Sequence, residues 1–234
     1  MKIDFGNIYL FTWEDLYPTE VWNELGIEAF RKLCANQEGS LKTTEREFRE
    51  LVSEELAGLA KEDQRSYYMQ NLQRDDIMIK ELLRLQRYSL CQSIFSFFEG
   101  RMKTVCEQIE ERFNLKIPKK NKNGQGDLDR LWKFLLDFFE LDNHPLEAAF
   151  IEINRQKLTR NIIAHQDGVV RAAQENDIVL MPGLELHRYG AFCQLVITDT
   201  AYVTGLLDKI YIFLKLLLLD IDARYIALTQ APKA

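Results

Sequence analysis

The stretch "SIFSFFEGRMKTVCEQI", residues 93–109, lies in the part of the sequence that decides the fold. From about residue 63 to residue 114 the chain has no proline, and apolar residues recur every three or four positions. This spacing is typical of an α-helix with one apolar face. We predict one very long helix here, or two helices that meet in a kink near Gly100. The recurring residues are Leu72, Ile79, Leu82, Leu83, Leu90, Ile94, Phe97, Phe98, Met102, Val105 and Ile109.

The sequence before this region predicts two shorter helices. The first, over residues 18–35, has Pro18 in its first turn and is expected to end before Gly39. The second, over residues 43–62, begins at a capping box formed by Thr44 and Glu47. Because these segments carry no chemical motif, we predict an N-terminal helical extension, residues 1–65, followed by the main helical domain, residues 66–234.

The sequence after the long helix predicts further helices and a small sheet. One helix begins at Asp127, and another is expected to run without interruption from Pro145 to Gly168. Residues 177–198 contain β-branched clusters around two glycine turns and predict a ribbon of two or three strands. A final helix is expected from about Asp199 to Leu228. The predicted fold class is therefore mainly α: an antiparallel helical bundle with a small β ribbon before the last helix.

The charge balance limits the kinds of partner that the whole surface can attract. The chain has 30 Lys plus Arg against 36 Asp plus Glu, a net charge of −6. No overall positive field draws it to nucleic acid, so phosphate binding would need a local basic site. The loop "KIPKKNKNGQG", residues 116–126, is the candidate, with Lys119, Lys120 and Lys122. The alternative is an ordinary solvated charge run.

The cysteines and the apolar runs predict a cytoplasmic protein without metal or cofactor. The four cysteines are far apart and form neither a CxxC pair nor a zinc-ligand pattern with histidine. The N-terminal residues lack the features of a signal peptide. The most apolar run, residues 210–221, is short and carries Lys215 and Asp220, which predicts a buried helix instead of a membrane span.

The segment "LTRNIIAHQDG", residues 158–168, contains the candidate chemical residues. Asn161 and His165 are four positions apart and therefore share a helix face, whereas Arg160 lies about 140° around the helix from His165. One interpretation is that Arg160 and His165 are ordinary cationic residues at a helix C-terminus, where the helix dipole favours them. The other is that they form a site.

The run Arg160-Asn161-Ile162-Ile163-Ala164-His165 resembles the arginine, polar residue, three residues, histidine motif of HEPN domains. The resemblance covers about residues 75–228 and includes the order of long helix, second helix, motif-bearing helix, small β segment and last helix. It implies a metal-independent endoribonuclease that cleaves RNA through attack by the 2′-hydroxyl. It also implies a homodimer with the active site at its interface, and a role as a toxin or in phage defence with an antitoxin or other partner protein.

The resemblance also implies roles for individual residues. Histidine titrates near neutral pH, so His165 is the candidate acid or base, and Arg160 is suited to hold phosphate oxygens. Asn161 would orient the ribose, the phosphate or His165. Glu99 would support the motif, although it could equally be an exposed glutamate or an ion-pair partner of Arg160. Lys119, Lys120 and Lys122 would contact RNA.

Two observations keep other interpretations open. In related toxins a tyrosine often lies two positions after the histidine and receives nucleotides, but this chain has Gln166 and Asp167 after His165. The alternatives are a non-catalytic module that binds RNA, a nucleotide or a protein, and a helical scaffold without a site. His144, before Pro145, and His187, which has no matched carboxylate in the sequence pattern, are not expected to be catalytic.

Overall fold

The computed structural model describes residues 10–119, 127–139 and 145–230, and it confirms the mainly α class with a small sheet before the last helix. The helices are α1 (Leu16–Ala57), α2 (Lys61–Tyr67), α3 (Gln73–Phe113), α4 (Asp127–Phe139), α5 (Pro145–Asn154), α6 (Lys157–Gln166) and α7 (Thr200–Gln230). The strands are β1 (Val169–Val170), β2 (Leu184–Tyr189) and β3 (Phe192–Ile197). A π-helical turn, Tyr68–Leu72, joins α2 to α3, and a 3₁₀ turn covers Ala172–Asp177.

The described residues fall into two compact units. The first unit combines the residues up to Glu28 with Phe95–Arg155 and the residues from Leu206 onwards, and the second combines Ala29–Ile94 with Gln156–Gly205. Three of the boundaries between the units fall inside α1, α3 and α7, and the fourth falls between α5 and α6. The boundary predicted between residues 65 and 66 falls inside α2, and the division into an extension and a main domain stays a prediction.

The first helix is longer than the sequence predicts. The structure has a single helix, α1, where two were expected, and this helix passes through Gly39. Thr44 does not cap a new helix, because its hydroxyl donates to the carbonyl oxygen of Ser40 at 3.2 Å, inside the continuing helix. Thr43 makes the same kind of bond to Gly39, at 3.0 Å. Gly39 and Thr44 are residue types that are common at helix ends, but here both lie inside a continuous helix.

Gly39 and Gly100 lie inside α1 and α3, and a Cβ atom added at either would meet nothing within 4 Å. Replacing either with alanine should therefore raise the free energy of unfolding by roughly 0.5–1 kcal/mol, since alanine loses less backbone entropy on forming a helix. Urea unfolding of Gly39→Ala and Gly100→Ala checks this expectation. A loss of stability in either variant would indicate a break in the helix at that glycine.

The long region predicted from residue 63 to residue 114 is helical but not uniform. No interruption occurs at Gly100; the irregular part is the π-helical turn between α2 and α3. At this turn the Tyr68 hydroxyl donates to the Asp76 carboxylate at 2.7 Å, and Lys80 donates to the same carboxylate oxygen at 2.7 Å. The helix ends at Phe113, and the next residue, Asn114, has a φ of 51°, in the left-handed region.

Aromatic side chains fill the core of the first unit. The ring of Trp132 on α4 stacks on Phe150 of α5, with 4.3 Å between centroids and 11° between planes. Phe213 of α7 packs against both rings, at 6.0 and 5.9 Å. The buried carboxylate of Asp222 accepts a hydrogen bond from the backbone N–H of Trp13 at 2.8 Å. This unit therefore buries one face of α4, the helix that the sequence predicts to begin at Asp127.

The second unit contains the sheet, whose strand order is β1-β3-β2 and whose pairs are antiparallel. The predicted continuous helix from Pro145 to Gly168 is wrong, because α5 ends at Asn154 and α6 begins at Lys157. The break occurs where Gln156 turns its side chain inward. Its amide nitrogen donates to the carbonyl of Val179 at 3.2 Å and its amide oxygen accepts from Tyr202 at 3.3 Å. These bonds satisfy a buried polar group that could not stay buried unpaired.

Candidate functional site

Helix α6 carries the predicted motif and is short and amphipathic. Its buried residues are Thr159, Ile162 and Ile163. Arg160 and Asn161 are half-buried, whereas His165 in the last turn is exposed. The alternation follows from helix geometry, since residues three and four apart share a face. The motif therefore lies at the edge between the packed and solvent-facing sides of the helix.

The guanidinium of Arg160 is held beside its neighbour, with Nη1 donating to Oδ1 of Asn161 at 3.1 Å. Its charge also acts on the buried thiol of Cys91. Burial raises the pKa of Cys91 to about 12, and a hydrogen bond with Tyr202 and the positive charge of Arg160 oppose this rise. The thiol donates to the Tyr202 hydroxyl at 3.9 Å, so a buried polar cluster lies under the motif. Arg160 is therefore half-buried, in contact with Asn161 and close enough to Cys91 for its charge to act on the thiol.

The backbone after His165 turns sharply. Asp167 has φ 51° and Gly168 has φ 79°, and the N–H groups of both residues donate to the carbonyl of Ile162, that of Gly168 at 3.2 Å. Glycine suits a helix end of this kind because it has no Cβ atom to strain. The chain then enters β1, and the carbonyl of Gly168 accepts from Leu195 of β3 at 2.8 Å.

Two residues of α3 fix this turn. Arg84 donates three hydrogen bonds to Asp167: Nη1 to Oδ1 at 2.7 Å, Nη2 to Oδ2 at 3.2 Å, and Nη1 to the backbone carbonyl oxygen at 3.2 Å. Its guanidinium also lies over the ring of Tyr88, 5.0 Å from the centroid. The Tyr88 hydroxyl donates to the carbonyl of Leu195. The end of α6, and with it His165, is therefore tied to α3 and to the sheet.

The structure gives less information on the other residues predicted for the site. Glu99 is half-buried on α3, in the first unit, whereas the motif belongs to the second unit, and its predicted supporting role stays a prediction. Lys119 is exposed in a segment without regular structure. Lys120, Lys122 and His144 lie outside the described residues.

The structure corrects the expectation for His187. This side chain has a carboxylate partner, because its Nε2 lies 2.8 Å from Oε2 of Glu185 on the same strand. The spacing of two residues on a strand puts both side chains on one face of the sheet, so the sequence contained the signal. The same face carries Tyr189 and Phe192, whose rings stack at 5.8 Å and are about half exposed.

Within the described ranges, no group of three or more His, Cys, Asp or Glu side chains is arranged to hold a metal ion. Cys34, Cys91, Cys106 and Cys193 are all unpaired and buried. None of the described helices combines the length and the apolar character needed to cross a membrane. Comparison of the chain with protein-family models, with curated proteins and with solved structures gives no match.

Proposed function

We propose that this protein is a metal-independent endoribonuclease of the HEPN type, acting in the cytoplasm as a toxin or in phage defence. The observation that supports the proposal is the arrangement on α6. Arg160 and Asn161 are in contact at 3.1 Å, and His165 is exposed at a helix end held by Arg84. A restraining partner protein is part of the proposal, but Gln166 and Asp167 replace the tyrosine that such a partner would modify in related toxins.

The proposed reaction uses groups that these residues supply. A base removes the proton from the ribose 2′-hydroxyl, whose oxygen attacks the adjacent phosphorus, and an acid protonates the departing 5′-oxygen. The planar guanidinium of Arg160 suits the phosphate oxygens, which gain charge during the attack. His165 exchanges the protons, and the Asn161 amide orients Arg160. The products are a 2′,3′-cyclic phosphate and a 5′-hydroxyl.

One motif supplies one histidine, whereas the reaction needs an acid and a base. A second copy of the chain, related by a twofold axis, would bring a second His165 to the same site. The proposal therefore includes a homodimer with the active site at its interface. The basic residues Lys119, Lys120 and Lys122 would guide the RNA backbone towards it.

The second candidate function is RNA binding without cleavage. The exposed rings of Tyr189 and Phe192, next to His187 on one sheet face, favour it, because unpaired bases stack on aromatic side chains of this kind. The net charge of −6 favours a weak or local RNA contact under either function.

Incubation of the purified protein with labelled single-stranded RNA in excess EDTA tests the proposal. We expect cleavage that leaves a 2′,3′-cyclic phosphate, because the attacking oxygen belongs to the substrate and no metal is required. A DNA strand of the same sequence, which lacks the 2′-hydroxyl, should stay intact. RNA that is bound but uncut by folded protein would reject the nuclease in favour of the binding module.

A further inference from the structure

A cavity of about 250 Å³ lies between α1 and α3 beside the π-helical turn, entirely within the second unit. We call it the π-turn cavity. Turns of this kind occur frequently at functional sites. The residues of the α6 motif do not line the cavity, so the proposed nuclease gives it no role. Its volume is just below the range of roughly 300–1,000 Å³ that is usual for small-molecule sites, so only a small ligand would fit.

Apolar side chains form part of the lining of the π-turn cavity. Phe48 and Val52 lie one turn apart on α1 and are half-buried, and Ile79 of α3 is buried. Tyr68 of the π turn is also half-buried, and its hydroxyl donates to Asp76 at 2.7 Å. An apolar group that covered these side chains would remove their remaining exposed surface from water, which favours binding. A ligand for this cavity therefore needs an apolar body.

The charged side chains of the lining form two ion pairs, one on each helix. On α1, Nη2 of Arg49 donates to Glu45, and on α3, Nζ of Lys80 donates to Asp76 at 2.7 Å. The pKa of Asp76 is lowered chiefly by the hydrogen bond from Lys80 and further by the charge of Arg49. The pKa of Lys80 is raised chiefly by its bond to Asp76 and further by the charge of Glu45. The two pairs therefore act on each other across one cavity, whose lining has no net charge.

We propose that the π-turn cavity binds a free α-amino acid with a large apolar side chain. Its carboxylate would bind Arg49 and Lys80, its ammonium group would bind Glu45 and Asp76, and its side chain would cover the apolar part of the lining. A ligand with a single charge gains no attraction from a neutral lining, whereas a zwitterion meets a partner for each of its charges. Exposed ion pairs contribute little to stability, so the existing pairs open to the ligand at little cost.

Titration of the full chain with L-phenylalanine, followed by ligand-observed NMR, tests the proposal. Two analogues keep the aromatic protons but lose one charge each: 3-phenylpropanoate lacks the ammonium group and 2-phenylethylamine lacks the carboxylate. We expect a dissociation constant on the order of 1 mM for L-phenylalanine, as is usual for a ligand of this size. Each analogue should bind about tenfold more weakly, since each loses its charge-assisted hydrogen bonds. No binding of L-phenylalanine, or equal binding of either analogue, overturns the proposal.

Substitutions show whether binding occurs in the π-turn cavity. Val52→Phe places a ring in the cavity and should abolish binding of L-phenylalanine. Leu51→Phe is the matched control, since Leu51 is the neighbouring residue of α1, is 44% exposed and does not line the cavity. It should bind as the wild type does. Equal binding by these two variants contradicts the proposed site.

Asp76→Asn decides the question if Val52→Phe does not fold, because it removes a charge and keeps the size of the side chain. This variant should bind L-phenylalanine about tenfold more weakly, through the loss of a partner for the ammonium group. Its affinity for 3-phenylpropanoate, which has no ammonium group, should not fall. Unchanged binding of L-phenylalanine by Asp76→Asn rejects the assigned role of the carboxylate and with it the proposal.

Discussion

RNA cleavage by the His165→Ala variant is expected to fall by about 10²- to 10⁴-fold, the usual contribution of a positioned acid or base. The imidazole is exposed at the end of α6, so its removal leaves no cavity and should change the free energy of unfolding by less than about 0.5 kcal/mol. Activity and stability should therefore separate clearly. Initial rates on a labelled RNA in EDTA, measured beside thermal unfolding of the same samples, give both quantities.

His187→Ala is the matched control for this prediction. His187 is also accessible, but it is paired with Glu185 on β2 and is not part of the motif. Its removal should leave the cleavage rate within a few-fold of wild type. If His165→Ala cuts RNA as fast as His187→Ala does, His165 is not the acid or base, and the motif would be an ordinary charged helix end.

The Gly168→Ala variant is expected to lose about 2 to 6 kcal/mol of unfolding free energy, the sum of two costs. The first is backbone strain, because φ is 79° in a region that alanine rarely adopts. The second is overlap, because the new Cβ atom would collide with the Tyr88 hydroxyl oxygen. That hydroxyl cannot move away freely, since it donates to Leu195. Urea unfolding measures the loss.

Gly190→Ala separates the two costs. Gly190 also has a positive φ, 57°, but a Cβ atom there would meet nothing within 4 Å. This variant should show the strain alone, about 1 to 3 kcal/mol. The difference between the two variants then reports how tightly α3 packs on the end of α6. If the two variants lose equal amounts of unfolding free energy, the Tyr88 side chain moves aside without a measurable energetic cost.

The sequence predicts the helices well where apolar residues recur at helical spacing over a long segment. It predicts them less well where single residues typical of a helix end interrupt that pattern. Gly39 and Thr44 carry the local signs of a helix end, yet α1 continues because neither residue forces the backbone to turn. The break between α5 and α6 has the opposite cause. Neither glycine nor proline marks it. Gln156, at the break, donates to the carbonyl of Val179 and accepts from the hydroxyl of Tyr202, and both of these residues lie far along the chain.

In the candidate site too, local features can be predicted from the sequence, whereas contacts between distant residues cannot. The placement of Arg160, Asn161 and His165 near a helix end follows from the sequence, because Gly168 marks that end. The grip of Arg84 on Asp167 does not follow, since the two residues are 83 positions apart and only the folded chain brings them together. The Glu185 and His187 pair could have been found once the strand was assigned, because alternate residues share a face.

The π-helical turn at Tyr68–Leu72 has a consequence for relatives of this chain. A π turn holds one residue more than an α turn, so it shifts the angular register between α2 and α3 by roughly the 100° that one residue covers. A homologue that lacks a single residue here would form one regular α-helix. In that regular helix the side chains of α2 would be rotated relative to those of α3. A sequence alignment would need a one-residue gap at this point to keep structurally equivalent positions together.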